Sequence, residues 1–369
     1  MRVFLSAGEA SGDAYGAALV REMRSLGFHG SPRGIGGPRM KAEGVGLVAD
    51  SSHWGAISIT QSLKIYPRVV RSYYKAKGAL ATGEPGLFVP IDFGYANIRL
   101  ARHAKNHGWK VLYFVPPSSW RRDRQGTDLP AITDAIATPF PWSAEILNRM
   151  GADAHWFGHP IKQLLRGKGV PPVGPGTVPV PAGIAVLPGS RSAEIDENLP
   201  VIARAVGEEP IEFALAPSTN LEAFQAQWSR LAPGRSDRFT AGDAYGVLRR
   251  ARSAIVCSGT ATLEAALCLC PMVVMYRFSK AVLLEAKLIG FKRPKYVALP
   301  NILLDRDVVP ELVQDEASPD ALREWLSRLN DGPDREKQLR DFEELDRLLG
   351  PDDAVTRTAE LAMQFLGNS

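Results

Sequence analysis

The chain has 369 residues, 45% of them hydrophobic and 23% charged, which is the make-up of a soluble globular protein long enough for two domains with their own cores. This excludes a disordered chain, a collagen-like repeat and a disulfide scaffold. Lys and Arg number 44 against 40 Asp and Glu, and a net charge of +4 argues against a dedicated nucleic-acid binder.

The first strand is predicted at Val3–Ser6, since Met1-Arg2-Val3-Phe4-Leu5 runs into Gly8 too soon for a signal-peptide apolar region. A small-residue turn follows, and then a helix from about Asp13 with Tyr15, Leu19, Met23 and Leu26 on one face. Between Ser51 and Gly83 there is no acidic residue, while Lys64, Arg68, Arg71, Lys75 and Lys77 interleave with aliphatics and tyrosines. That pattern suits contact with an anionic lipid surface. Taken alone it suits an ordinary helix with a solvated basic face somewhat better, and it suits nucleic acid less well than either because no binding motif accompanies it.

Further strands are predicted at Leu87–Ile91, Lys110–Val115 and Ile132–Ala137. Residues 166–183 hold Pro171, Pro172, Pro175, Pro179 and Pro181 with several glycines, a composition that continues neither sheet nor helix and reads as a linker. Beyond it, strands are predicted at Ile184–Leu187, Ile211–Ala216, Ala254–Cys257 and Met272–Tyr276, alternating with helical patterns. The expected class is α/β, with two Rossmann-like doubly wound domains at 1–165 and 184–345 facing a central cleft. A last helix within 346–369 is expected to return to the first domain. The longest apolar run, Ala265–Tyr276, is broken by Pro271 and too short to span a membrane. Cys257, Cys268 and Cys270 fit neither disulfide nor zinc spacing and read as reduced core residues.

In doubly wound sheets ligands sit at the carboxyl ends of strands, so strand-end loops carry the chemistry. Two such turns in the second half suit phosphate: Gly189-Ser190-Arg191 after one strand, and Ser258-Gly259-Thr260 after another. Glu264, one helical turn on, could accept hydrogen bonds from ribose hydroxyls. Either turn alone reads as a capped helix start; the pair favours a diphosphate-bearing nucleotide. Neither is a Walker loop, and no dinucleotide fingerprint follows a strand. In the first half, Asp92 directly follows a strand and is either a general base or a helix cap. Ser11 and Gly12 lie in the turn that would border the same cleft. His159 reads as structural before catalytic. Asp305 and Asp307 have no third ligand nearby, and the histidines have no convincing metal spacing, so no metal site is expected.

Taken together, Ala7-Gly8-Glu9-Ala10-Ser11-Gly12-Asp13, Gly36-Gly37-Pro38-Arg39-Met40, Ile91-Asp92 with Asn97, Gly158-His159-Pro160, Leu187-Pro188-Gly189-Ser190-Arg191 with Glu194, Ser258-Gly259-Thr260-Ala261-Thr262-Leu263-Glu264, Tyr276-Arg277 and Leu299-Pro300-Asn301 resemble the lipid-A-disaccharide synthase family over most of the length. The resemblance implies an inverting glycosyltransferase of the GT-B fold. It would move 2,3-diacylglucosamine from a UDP donor to 2,3-diacylglucosamine 1-phosphate, forming a β(1→6) disaccharide and releasing UDP. By this likeness Asp92 is the base, assisted by Ser11 and Gly12. Gly189, Ser190, Arg191, Ser258, Gly259, Thr260, Glu264 and Asn301 hold the nucleotide, and no cofactor is required. The chain would work in the cytoplasm on the inner face of the cytoplasmic membrane, against anionic lipid and without nucleic acid, with a homo-oligomer allowed.

The departures from the family pattern fall in the first half: Pro117-Ser118-Ser119-Trp120-Arg121-Arg122 has one tryptophan, and Phe93-Gly94-Tyr95-Ala96 lacks a second aspartate. Two other readings follow: a different UDP-sugar enzyme of the same fold, such as an epimerase or a transferase to another lipid, and a UDP-sugar-binding protein without catalysis. The small net charge hides an asymmetry. Residues 1–160 hold 19 basic and 12 acidic side chains, or +7, leaving −3 for the remainder. That is the division expected of a lipid-facing half joined to a nucleotide half.

Overall fold

The computed structural model describes residues 2–52, 54, 59–170, 183–189, 191–217, 219–257, 259–290 and 293–367, with the side chains of 59–64 and 95 outside that description. Ser190, Ser258, the Lys64 side chain and most of the proline-rich linker therefore lie outside the described residues. The chain forms two compact units, one of Met1–Leu164 with Leu349–Ser369 and the other of Leu165–Leu348.

The first unit contains β1 (Val3–Ala7), β2 (Arg33–Gly36), β3 (Gly46–Asp50), β4 (Leu87–Ile91), β5 (Lys110–Phe114), β6 (Ala135–Thr138) and β7 (Ala154–Trp156). They form one parallel sheet in the order β3-β2-β1-β4-β5-β6-β7. Helices cover both faces, so β1 and β4 are buried along their whole length, which is why each reads as an unbroken apolar run. β1 and β4 pair from Val3↔Leu87 to Ala7↔Ile91, and the strand order reverses between them. One face of the core also takes Val355, Ala359, Ala362 and Leu366 of the last helix, Ala354–Gly367, which packs along the first helix, Ala10–Ser25.

The second unit contains β8 (Ile184–Leu187), β9 (Ile211–Leu215), β10 (Arg238–Ala241), β11 (Ser253–Cys257), β12 (Met272–Tyr276) and β13 (Glu311–Val313). Its parallel order is β10-β9-β8-β11-β12-β13, and the reversal falls between β8 and β11. Phe213 anchors one face of this core by packing against Phe224, Trp228 and Phe239.

Several expectations are corrected. The first helix begins at Ala10, not near Asp13, and Leu26 lies beyond its last turn, exposed. Residues 132–137 are not one strand: Leu129–Ile132 is a helical turn and β6 starts at Ala135. β2, β7, β10 and β13 lack a clear local signal because they are only three or four residues long, and the edge strand β3 lacks one because it is only partly buried. The cysteines are buried free thiols, and burial pushes Cys270 up to about 12. Among the described residues no helix is long and apolar enough to cross a membrane.

Candidate active site

In the first unit the predicted residues converge at the β1/β4 reversal, the place where doubly wound sheets leave a crevice for ligands. Asp92 is the first residue after β4. It does not cap the following helix, Gly94–Asn106, whose N-cap is Phe93 with no side-chain hydrogen bond. Asp92 and Phe93 both take left-handed backbone angles, φ 48° and 47°, which cost non-glycine residues about 1–2 kcal/mol each. Neighbours hold this strained turn. The Asp92 amide donates to the Phe114 and Val115 carbonyls at 3.2 and 3.1 Å. The Asp92 carbonyl accepts from the Tyr113 hydroxyl at 2.9 Å and from Asn97 Nδ2 at 3.0 Å.

Asn97 is fully buried and joins the two strand ends. Its Nδ2 also donates to the Ser6 and Ile91 carbonyls, and its Oδ1 accepts from the Ser6 hydroxyl at 2.6 Å. Asn97→Ala is expected to leave these groups unpaired and destabilise the unit by about 2–4 kcal/mol, read as a lower denaturant midpoint.

The Phe93 ring lies against Gly8, where any Cβ would come within 2.2 Å of it. Burial, and then the carboxylate of Glu9, push the Asp92 carboxyl up to about 6, with the Phe93 amide offsetting part of the shift. Such a group is ionised at neutral pH yet basic enough to take a proton from a hydroxyl as the hydroxyl attacks. Ser11 is half-buried on the first helical turn. Gly12 is buried beneath it, its Cβ position 3.2 Å from that of Ala7, so its contribution is close packing of the helix on β1.

In the second unit the two phosphate-type turns follow β8 and β11, neighbouring strands at that sheet's reversal. Gly189 has φ +106°, and a Cβ there would sit 2.6 Å from Glu194 Oε2, so both conformation and space require glycine. Arg191 caps the helix Ser192–Ala205 from outside and pairs with buried Glu194 at 2.6 Å. The Tyr276 hydroxyl donates to the same carboxylate oxygen at 2.6 Å. Glu194 thus holds a half-exposed guanidinium beside a helix start, an arrangement suited to oxyanions. Gly189→Ala is expected to displace Glu194 and raise the KM for a phosphate-bearing donor about tenfold, with a smaller effect on kcat.

Gly259, φ +118°, starts the helix Thr260–Leu267, and Thr260 is exposed there. The Thr262 hydroxyl donates to the Gly259 carbonyl and accepts from the Leu299 amide, fixing the turn. Glu264 is half-buried and accepts a long hydrogen bond, 3.4 Å, from the Tyr245 hydroxyl.

Other expected residues fall elsewhere. Asn301 is buried and fully engaged. It donates to the Val309 carbonyl and Glu311 and accepts from the Val308 and Val309 amides, so its side-chain amide is taken up in shaping its loop. His159 is buried between Tyr15 and Phe140, accepts from the Ile161 amide and is held neutral, its pKa lowered to about 3 by burial. It is structural. Arg68, Arg71 and Lys75 are exposed along the helix Ile59–Ala81, Lys77 is half-buried, and Tyr66 and Tyr74 stand exposed among them.

The residues that hold the site do not stand out by residue type. Asp13 is buried with its carboxylate accepting from the Gly37, Arg39 and Met40 amides, which ties the β2 loop to the first helix. Asn97, Glu194 and Tyr276 act similarly. For Asp13, Asn97 and Glu194 the signal is a polar residue one helical turn past a small-residue loop, the position from which a side chain reaches back; Tyr276 ends a strand and carries no such mark.

Two parallel, doubly wound units with polar strand-end loops at both reversals constitute the GT-B architecture. A family model described as lipid-A-disaccharide synthetase matches residues 3–364. The lipid-A-disaccharide synthase of Geobacter sulfurreducens is 32% identical over 377 residues, covering 99% of this chain and 97% of that one. The enzyme of the same name from Neisseria meningitidis serogroup B is 34% identical over 378 residues, covering 98% and 95%. A putative UDP-N-acetylglucosamine 2-epimerase from Listeria monocytogenes has a similar fold, with TM-score 0.62, 12% identity and coverage of 100% and 97%. The chain belongs to the lipid-A-disaccharide synthase family, a family of glycosyltransferases acting in lipid A biosynthesis.

Proposed function

We infer that the chain transfers 2,3-diacylglucosamine from its UDP donor to the 6-hydroxyl of 2,3-diacylglucosamine 1-phosphate, with inversion, giving the β(1→6) disaccharide and UDP. The observation that carries this reading is Asp92, a carboxyl raised to about 6 on a strained turn at the β1/β4 reversal. In the reaction Asp92 accepts the acceptor's hydroxyl proton while the oxygen attacks the anomeric carbon and the bond to the UDP oxygen breaks. The negative charge that develops on the departing diphosphate is met by Arg191 and the amides that open the Ser192–Ala205 and Thr260–Leu267 helices. Glu264 accepts from the ribose, and the step calls for no cofactor.

Both substrates carry acyl chains, which fits work at the inner face of the cytoplasmic membrane. Tyr66 and Tyr74, exposed on the helix Ile59–Ala81, support that placement. So does the helix Lys280–Leu288, which buries no residue and exposes Leu283, Leu284 and Leu288 beside Ile289.

The test incubates the protein with UDP-2,3-diacylglucosamine and the monosaccharide 1-phosphate and follows products by mass spectrometry. A β-linked disaccharide is expected. Isomerised UDP-sugar without acceptor would replace this reading with an epimerase, and UDP binding without turnover would leave a binding protein.

A further inference from the structure

A cleft of about 270 Å³ opens in the first unit between the end of β3 and the helix Ile59–Ala81. Its walls include Asp50, Trp54, Arg68, Arg71 and Lys75. Arg68, Arg71 and Lys75 are spaced by three and four residues, so they share one helical face. All three are exposed, and among the described residues none of their side chains is in an ion pair or hydrogen bond. Three cations without partners thus border one concave space. We propose that this cleft binds a phosphomonoester and that, if the proposed reaction holds, the group is the 1-phosphate of the sugar acceptor.

Charge selects the class of ligand. With Asp50 the cleft carries a net +2, which complements the −1.5 to −2 of a phosphomonoester at pH 7. A phosphodiester headgroup brings about one negative charge and would leave the cleft half-neutralised. Two arginines on one face also suit the forked recognition of phosphate oxygens. Shape points the same way. A flat contact with a bilayer needs cations on a convex rim, whereas these edge a hollow. Tyr66 and Tyr74 remain exposed on the helix for the lipid itself.

Position links the cleft to the chemistry. Trp54, buried at its wall, packs on Phe93 with ring centroids 5.6 Å apart, and Phe93 directly follows Asp92. A phosphate held beside Trp54 would therefore anchor one end of a small molecule whose other end reaches the candidate base. Arg68, Arg71 and Lys75, expected from sequence to touch membrane, would instead read the acceptor.

The test has two arms, both on the full chain. In the first, binding of glucosamine 1-phosphate, glucosamine and inorganic phosphate is followed by ligand-observed NMR, without any turnover. Wild type is expected to bind glucosamine 1-phosphate over glucosamine, and Arg71→Gln and Lys75→Gln each to weaken that binding about 10- to 100-fold with unchanged thermal midpoints. Equal binding of the sugar with and without phosphate, or no effect of either variant, would overturn the site. In the second arm, kcat/KM is compared for diacylglucosamine with and without its 1-phosphate. The variants are expected to lose the preference for the phosphate through KM, leaving the donor KM and sedimentation with phosphatidylglycerol vesicles unchanged. An equal loss on both acceptors, or loss of vesicle binding with the preference intact, would assign these residues to lipid headgroups and overturn the acceptor assignment. Failure of the disaccharide reaction itself would show as no turnover in wild type, while the binding arm still judges the phosphate site.

Discussion

Asp92→Asn is expected to lower kcat by about 10²- to 10⁴-fold while leaving UDP affinity unchanged. Asparagine keeps the size and the strained turn but cannot accept the proton. The pH profile of the wild type gives an independent readout. The base works as its carboxylate, so kcat/KM should fall tenfold per unit as pH drops below about 6; at the ordinary 3.8 the same limb would lie about two units lower. Glu9→Gln removes the second cause of the shift and should move the limb to lower pH.

Stability should respond in the opposite sense to activity. A carboxyl raised in the folded state binds its proton more tightly there, so the contribution of Asp92 to stability is greatest below 3.8 and is lost as pH rises from 3.8 to about 6. The loss at neutral pH is up to about 3 kcal/mol, reduced by the solvent that reaches this half-buried group. Asp92→Asn should therefore show a higher thermal midpoint at pH 7 and none of the gain at pH 3.5. A structural cap would show the reverse, with loss of stability and little change in the acid limb.

Arg191→Ala is expected to reduce kcat/KM by about 10²- to 10³-fold, with more of the loss in kcat than in UDP affinity. The diphosphate bears its additional charge only as the glycosidic bond breaks, so the guanidinium contributes most in the transition state. Arg191→Lys should recover part of the rate, because an ammonium supplies charge but not the planar fork. The alanine variant also removes the partner of buried Glu194, which leaves that carboxylate with the Tyr276 hydroxyl. Glu194→Gln separates the two effects: it frees the guanidinium without deleting it and should chiefly raise the KM for the donor. Rates with saturating donor, alongside calorimetric UDP binding, distinguish the outcomes.

Central strands are legible in the sequence and edge strands are not. β4, β8 and β12 lie where their apolar runs place them, since strands covered on both faces carry the signal in consecutive residues. β3 and β10 are only partly buried and alternate weakly, so nothing local marks them. The site divides in the same way. Gly189, Arg191, Gly259 and Asp92 stand at strand ends and could be picked out by residue type and position. Asn97 and Glu194 hold that site through partners many residues away, and their place one helical turn past a small-residue loop marks them locally but does not name those partners. Asn301 shows the converse: a polar residue in a family motif whose amide is taken up inside its own loop.

Length, composition and the order of strands and turns pointed to two α/β domains with their chemistry on strand-end loops, and the quoted motifs, by their resemblance, pointed to the family. The tertiary structure decided three further matters: that Asp92 is a raised carboxyl rather than a helix cap, that Arg191 is held by a buried glutamate, and that three cations edge a cleft. Each depends on burial and on charges brought close by sheet pairing or helix packing. Those quantities arise only when residues distant in the chain exclude water from one another.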